Sequence, residues 1–229
     1  MANFRALTFD IIGTVFDWRS TFTDEVASLN GRYGLDFDPA AFALGAHRGY
    51  ASGVQTVRGG GPWKTPDEIL RQSIVDLLSV KHTPSAEEVD DFVAVWRRLR
   101  PWPEVPQALN ALHERYTLAI LSNVSVAVQS ALTKHSSLPF DHMLSAELAG
   151  AYKPNPAMYR LAIEKLHLPP EQILMVASHN YDLDAAKEHG FKTAFVSSPS
   201  DPGQPNPSYD FNAADFTELA EKIQTGVAL

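Results

Sequence analysis

Asp10 interrupts the first apolar run of the chain, Ala6-Leu7-Thr8-Phe9-Asp10-Ile11-Ile12, where another apolar residue is due. A carboxylate is already ionised at neutral pH, so it needs no adjacent base to attack carbon, and attack leaves an ester that water must hydrolyse. Lys153, in Tyr152-Lys153-Pro154, can hold such a carboxylate ionised and offset charge during the reaction. Ser122 and Asn123 close a second apolar run, Leu118 to Leu121, and can donate hydrogen bonds to an oxyanion or a substrate carboxylate. A third run, Ile173 to Ala177, ends in Ser178-His179-Asn180-Tyr181-Asp182. Asp182 can anchor Lys153 or orient a hydrolytic water; His179 can bind substrate or assist proton transfer. Each residue also has a plainer use: Asp10 capping a turn, Ser122 and Asn123 capping a helix, Lys153 on a solvated surface. One site shared by all of them explains the repeated polar strand ends better than unrelated loops do.

The runs that carry these residues are short and apolar on both faces, as strands of a parallel sheet covered by helices are. Gly13 lets the chain turn away after Asp10. Strand–helix alternation over residues 98–229, with residues 1–16 supplying the first strand, implies a Rossmann-like, doubly wound α/β core. In such sheets the carboxyl ends of the strands face the ligand crevice. Residues 17–97 carry a different, purely helical pattern and are expected to form an inserted helical cap. Its segments run from Ser20 to Tyr33 with a stop at Gly34, from Pro39 to Val54, from Pro66 behind a Thr65 cap, and from Ser85 to Arg98. Val57-Arg58-Gly59-Gly60-Gly61-Pro62-Trp63 reads as a flexible break. In the core, helices are expected over 104–115, about 125–135, from Pro156 to Leu166, up to Gly190 and over 215–224. Strands are expected at His142–Ser145 and Thr193–Val196, and a loop from Ser197 to Tyr209.

Composition narrows the partners. The net charge of −8, with no basic block, speaks against nucleic acid or an anionic membrane surface. With no cysteine, disulfides, thiolate metal sites and a cysteine nucleophile are all excluded. Met1-Ala2-Asn3-Phe4-Arg5 lacks the apolar stretch of a signal peptide, and no run approaches the ~18 residues of a membrane span, so a cytoplasmic protein is expected.

Four stretches then carry a resemblance: Phe9-Asp10-Ile11-Ile12-Gly13-Thr14-Val15, Leu121-Ser122-Asn123, Tyr152-Lys153-Pro154-Asn155-Pro156, and Ser178-His179-Asn180-Tyr181-Asp182-Leu183. Their order and spacing resemble the haloacid dehalogenase superfamily, and within it the type II (S)-2-haloacid dehalogenases. The His179-to-Leu183 form is similar to a subgroup that includes defluorinating members. The resemblance implies a Rossmann-like core with a helical cap. It further implies hydrolysis of short 2-haloalkanoic acids to 2-hydroxy acids through an ester on Asp10, with no metal or other cofactor. On that resemblance Thr14, Ser122, Lys153, Tyr159 and Asp182 match functional positions. Ile11, Ile12, Asn123, His179 and Asn180 are expected around the substrate. Dimers are common among the proteins resembled, which leaves a homodimer possible.

Two features separate dehalogenase from phosphatase within this resemblance. Superfamily phosphatases carry a second aspartate two residues after the nucleophile, as general acid, where this chain has Ile12. They also carry acidic residues in the last motif to hold Mg²⁺, where this chain has Ser178-His179-Asn180. A halide leaving group needs no general acid. The alternative is another hydrolase on the same ester chemistry, a phosphatase or a hydrolase of a non-halogenated 2-substituted carboxylate. Family members often carry a Trp-Arg pair on the second cap helix; here Ala46-His47 stands there, with Arg48 one place on. One place rotates a side chain by about 100° around a helix. His47, Arg48, Arg58 and Lys64 are the candidates to replace that arginine. Val124 follows Leu-Ser-Asn where the family has glycine. These departures sit where substrate identity is decided.

Overall fold

The computed structural model describes residues 4–200 and 203–225; residues 1–3, 201–202 (within the loop expected over 197–209) and 226–229 lie outside them. The first strand, β1 (Ala6–Phe9), is buried along its whole length. After β2 (Phe16–Asp17) come the helices α1 (Trp18–Tyr33), α2 (Pro39–Arg58), α3 (Pro66–Leu78) and α4 (Ala86–Ala94), with a 3-10 turn over Val95–Arg97. β3 (Arg100–Pro101) pairs antiparallel with β2 in a separate two-stranded sheet, so the stretch of helices between them begins and ends side by side. Then follow α5 (Val105–His113), β4 (Thr117–Ser122), α6 (Val126–Ser136), β5 (His142–Ser145), α7 (Ala146–Ala149) and α8 (Pro156–Leu166). β6 (Ile173–Ala177), α9 (Asn180–Glu188), β7 (Lys192–Val196), β8 (Phe211–Ala213) and α10 (Phe216–Thr225) complete the order.

Among the described residues, six strands form one parallel sheet in the order β5-β4-β1-β6-β7-β8, the doubly wound α/β arrangement expected. Strand order runs outward from β1 in both directions, so the carboxyl end of β1 is the switch point where the crevice opens. Register does the rest. Phe9 lies opposite Ile120 on β4 and opposite Val176 on β6. Asp10 follows Phe9, Ser122 is two places beyond Ile120, and Ser178 and His179 lie just beyond the end of β6. Polar residues far apart in the chain therefore meet at one edge. No described helix is long and apolar enough to cross a membrane.

Local chemistry sets the helix ends. Asp17 caps α1 by accepting from the Ser20 N–H, and Gly34 closes it at a left-handed φ of 66°. Thr65 and Ser85 form capping boxes with Glu68 and Glu88. The structure corrects two helix ends and adds three short strands. α2 continues to Arg58, so Val57 and Arg58 are helical and the break begins at Gly59. The apolar pattern fades at Val54 because Gln55, Thr56 and Arg58 in the last turn are exposed, not because the helix stops. α4 ends at Ala94 rather than Arg98, its last residues tightening into the 3-10 turn. β8 and the β2–β3 pair are too short to show alternation and lie where no strand is expected.

α2 and α3 touch almost backbone to backbone. Gly45, Gly49 and Gly53, one turn apart, face Leu77, Ser73 and Ile69. A Cβ at Gly45 would sit 2.9 Å from Leu77 Cδ2, and at Gly49 or Gly53 it would overlap Ser73 Oγ or Ile69 Cγ2 more severely. Ser73 is buried and donates to the Ala46 carbonyl at 3.0 Å, so it has nowhere to move without losing that bond. Gly49→Ala is expected to destabilise by about 1–3 kcal/mol through overpacking. Gly31→Ala in α1, where nothing lies within 4 Å of the added Cβ, is expected to raise the melting midpoint. Thermal melts of the two variants test the contrast, and equal effects would contradict it.

Candidate active site

Lys153 is the least expected member of the core, 1% exposed, on the loop between α7 and α8. A buried charge needs a partner, and this one has two. Its Nζ lies 2.5 Å from Asp182 Oδ2 and 3.5 Å from Asp10 Oδ1. Its backbone N–H donates to Asn123 Oδ1 at 2.8 Å, which ties it to the end of β4. Asp182, in the first turn of α9, accepts a second hydrogen bond from the Tyr159 hydroxyl of α8 at 2.8 Å. Asp10 accepts from Thr14 Oγ1 at 3.1 Å, and His179 Nδ1 lies 3.0 Å from its Oδ2. Thr14 in turn accepts from the Ser178 N–H at 3.1 Å. The ends of the three adjacent strands β4, β1 and β6 thus contribute to a single network.

Burial by itself would raise the Asp10 carboxyl, but the Lys153 charge, with His179 and Thr14, outweighs it and holds it at about 2. Burial raises Asp182, and the neighbouring Asp10 charge adds to this against the pull of Lys153. Asp10 is held ionised and is the one of the two carboxylates that faces open space. Burial and Asp182 likewise push the Tyr159 hydroxyl far above its ordinary range, so it remains a donor.

Asp10 opens on a cavity of about 520 Å³. Ile12, His47, Ser122, Asn123 and His179 line it, as expected of residues around a substrate, together with Arg58. Other expected substrate neighbours sit elsewhere. Ile11 is wholly buried in the core and only Ile12 reaches the cavity. Tyr159 lies behind Asp182, and Thr14 behind Asp10, as supports. Asn180 turns away, donating to the Gln204 carbonyl at 2.7 Å and accepting from the Gln204 N–H at 2.9 Å. Arg48 is exposed and outside the lining, as the rotation of one helical step requires, while Lys64 borders the neighbouring hollow between α2 and α3. His47 stacks on Trp18, ring centroids 4.1 Å apart and 8° from parallel. Sequence reasoning missed Tyr50, Trp96 and Tyr181, which complete the walls. Tyr50 donates to the Asn123 carbonyl at 3.0 Å and thereby fixes α2 over the end of β4. Its signal was its place one turn from His47 on the same face of α2.

The depressed Asp10 carboxyl has a consequence for stability. A carboxyl lowered from 3.8 to about 2 contributes stability that is complete above the unfolded value and lost as pH falls through about 2. Relative to Asp10→Asn, the wild type is expected to lose about 2 kcal/mol between pH 5 and pH 2. Chemical denaturation of both proteins across that range measures it; a difference that does not change with pH contradicts the pairing.

A family model for haloacid dehalogenase-like hydrolases matches residues 4–190. Haloacetate dehalogenase H-2 of Moraxella sp. (strain B) is 39% identical over 102 residues, covering 43% of this chain and 46% of that protein. The chain thus spans less than half the length of the first curated relatives it matches. Two crystal structures cover almost all of it. An L-2-haloacid dehalogenase superposes with a TM-score of 0.91 at 33% identity, covering 97% of this chain and 99% of the other. A defluorinating L-2-haloacid dehalogenase superposes with a TM-score of 0.91 at 30% identity, covering 96% and 95%. Residues 4–190 include every side chain of the network around Asp10, and the chain belongs to the haloacid dehalogenase-like hydrolases.

Proposed function

We propose that the chain is a 2-haloacid dehalogenase that works through an ester on Asp10. The observation that carries this reading is the pairing of an ionised Asp10 with a buried Lys153 at the floor of a cavity. The position two residues on, where a general acid would stand for an alcohol leaving group, is the apolar wall residue Ile12. Halide leaves as an anion and needs no proton.

In the first step an Asp10 oxygen attacks C2 of the acid in line with the carbon–halogen bond. The halide departs with the bonding electrons, C2 inverts, and an ester forms. Ser122 and the Asn123 side-chain NH₂ hold the substrate carboxylate, while Lys153 keeps Asp10 ionised until it attacks. In the second step water adds to the ester carbonyl carbon, the acyl–oxygen bond breaks, and the 2-hydroxy acid leaves. One oxygen of the regenerated Asp10 carboxylate then comes from water. His179 is close enough to Asp10 to take the water's proton. The net change consumes one water and yields a 2-hydroxy acid, a halide and a proton. The relatives' names, haloacetate dehalogenase and L-2-haloacid dehalogenase, support the same reaction. We further propose that residues 17–97 act as a cap domain on a core of residues 1–16 and 98–229, so that α2 closes the crevice over substrate. The partner is a free small carboxylate.

Ion chromatography of halide released from 2-chloropropionate in the presence of EDTA is the direct test. Release is expected from wild type and background only from Asp10→Asn. Ser122→Ala is expected to raise KM roughly tenfold, the value of one hydrogen bond to a charged group. Chelator-sensitive phosphate release from phosphate esters, with no halide release, would overturn the reading.

A further inference from the structure

We infer that the preferred substrate is a 2-halo dicarboxylate whose second carboxylate, at the end of an extended side chain, is bound by Arg58. The inference rests on the proposed ester chemistry at Asp10.

Size comes first. A cavity of about 520 Å³ equals roughly seventeen waters at about 30 Å³ each. A 2-halopropionate, with six non-hydrogen atoms, would fill only a fraction of it. Shape comes next. His47, Ala51, Gln55 and Arg58 of α2 all line this one cavity, so a single helix face borders it for three turns. The eleven helical rises from His47 to Arg58 span about 16 Å. Tyr50 fixes the near part of that face at Asn123, beside the reacting end. Arg58 lies eight residues further on, about 12 Å along the axis, where it also borders the hollow formed by Gly150, Tyr152 and Asn155.

Charge then identifies what the far end takes. Among the described residues lining the cavity, Arg58 is the one lysine or arginine, and it pairs with no carboxylate among the described residues. A basic residue in the last turn of a helix is favoured by the helix dipole, which explains a charge there but not its place on a cavity wall. Gln55, one turn back, lines the same wall and adds an amide. A guanidinium fork with an adjacent amide matches a carboxylate. Between the two ends the wall is apolar, with Val54 on α2 and Val124 opposite, which suits a methylene chain. The carboxylate beside the leaving group must stay within reach of Asp10, whose reacting atoms need to approach to ~3–3.5 Å. A substrate with one carboxylate and no side chain leaves the Arg58 end filled with water.

The test compares bromide release from 2-bromoadipate, 2-bromohexanoate and 2-bromopropionate. The first two have the same chain length and differ in the terminal carboxylate. Wild type is expected to favour 2-bromoadipate over 2-bromohexanoate at least tenfold in kcat/KM, mostly through KM. Arg58→Gln is expected to erase that ratio and Arg58→Lys to restore part of it. Equal rates for the two six-carbon acids, or a preference for 2-bromopropionate over both, would overturn the inference and leave the dehalogenase reading intact. An Arg58→Gln variant that slows all three acids in equal proportion would place Arg58 on the reacting carboxylate and also overturn it. Absence of bromide from all three would sink the dehalogenase reading, and the inference with it.

Discussion

A buried ammonium without an anion costs several kcal/mol, and Lys153 is buried to 1% exposure. Much of the site follows from satisfying that one charge. Asp182 meets it at 2.5 Å and Asp10 at 3.5 Å, so two carboxylates from opposite ends of the chain must converge on the Lys153 loop. Each carboxylate has a further donor, Tyr159 for Asp182 and Thr14 for Asp10. The lysine backbone is held by Asn123. The parallel register of β1, β4 and β6 is what brings these loops to a common level. Preorganisation of this kind supplies electrostatic stabilisation without rearrangement during the reaction.

The same charge gives two aspartates two duties. Asp182 is wholly buried, bonded on both oxygens, and raised by burial. It holds Lys153 in place. Asp10 has the ammonium on one side and the cavity on the other, and its carboxyl is held at about 2. Environments that push two carboxyls apart are how one site separates an anchor from a reacting group. Above them the helices inserted between β2 and β3 place α2 along the cavity. Their close α2–α3 contact, with glycines at three successive turns, makes a firm wall of α2. The α2 face with His47, Gln55 and Arg58 is then a fixed edge of the cavity.

Much of this was legible in the chain itself because polar residues stood at the ends of apolar runs. Asp10, Ser122, Asn123, Lys153, His179 and Asp182 do converge, and the doubly wound sheet follows from strand–helix alternation. Orientation was not legible. Asn180 shares its motif with Asp182 but lies on another side of α9, where it pins the loop at Gln204. Tyr159 matches a functional position yet acts from behind Asp182. Ile11 and Ile12 are adjacent, and only one can face the cavity. Periodicity also ended α2 too early, because its last turn has one side toward solvent and the other toward the cavity, leaving Arg58 in an apparent loop. Aromatic residues that look like core, Tyr50 and Trp96, turned out to wall the site, and nothing in their own side chains distinguishes the two uses.

The central claim is that Asp10 itself carries the ester and that water opens it at the acyl carbon. A single turnover of excess enzyme with 2-chloropropionate in H₂¹⁸O, followed by mass spectrometry of the peptide containing Asp10, tests it directly. The account predicts ¹⁸O in the Asp10 carboxylate and unlabelled oxygen in the 2-hydroxypropionate released by that first turnover. Label in the product alone, with Asp10 unlabelled, would mean that water attacks C2 directly and would contradict it.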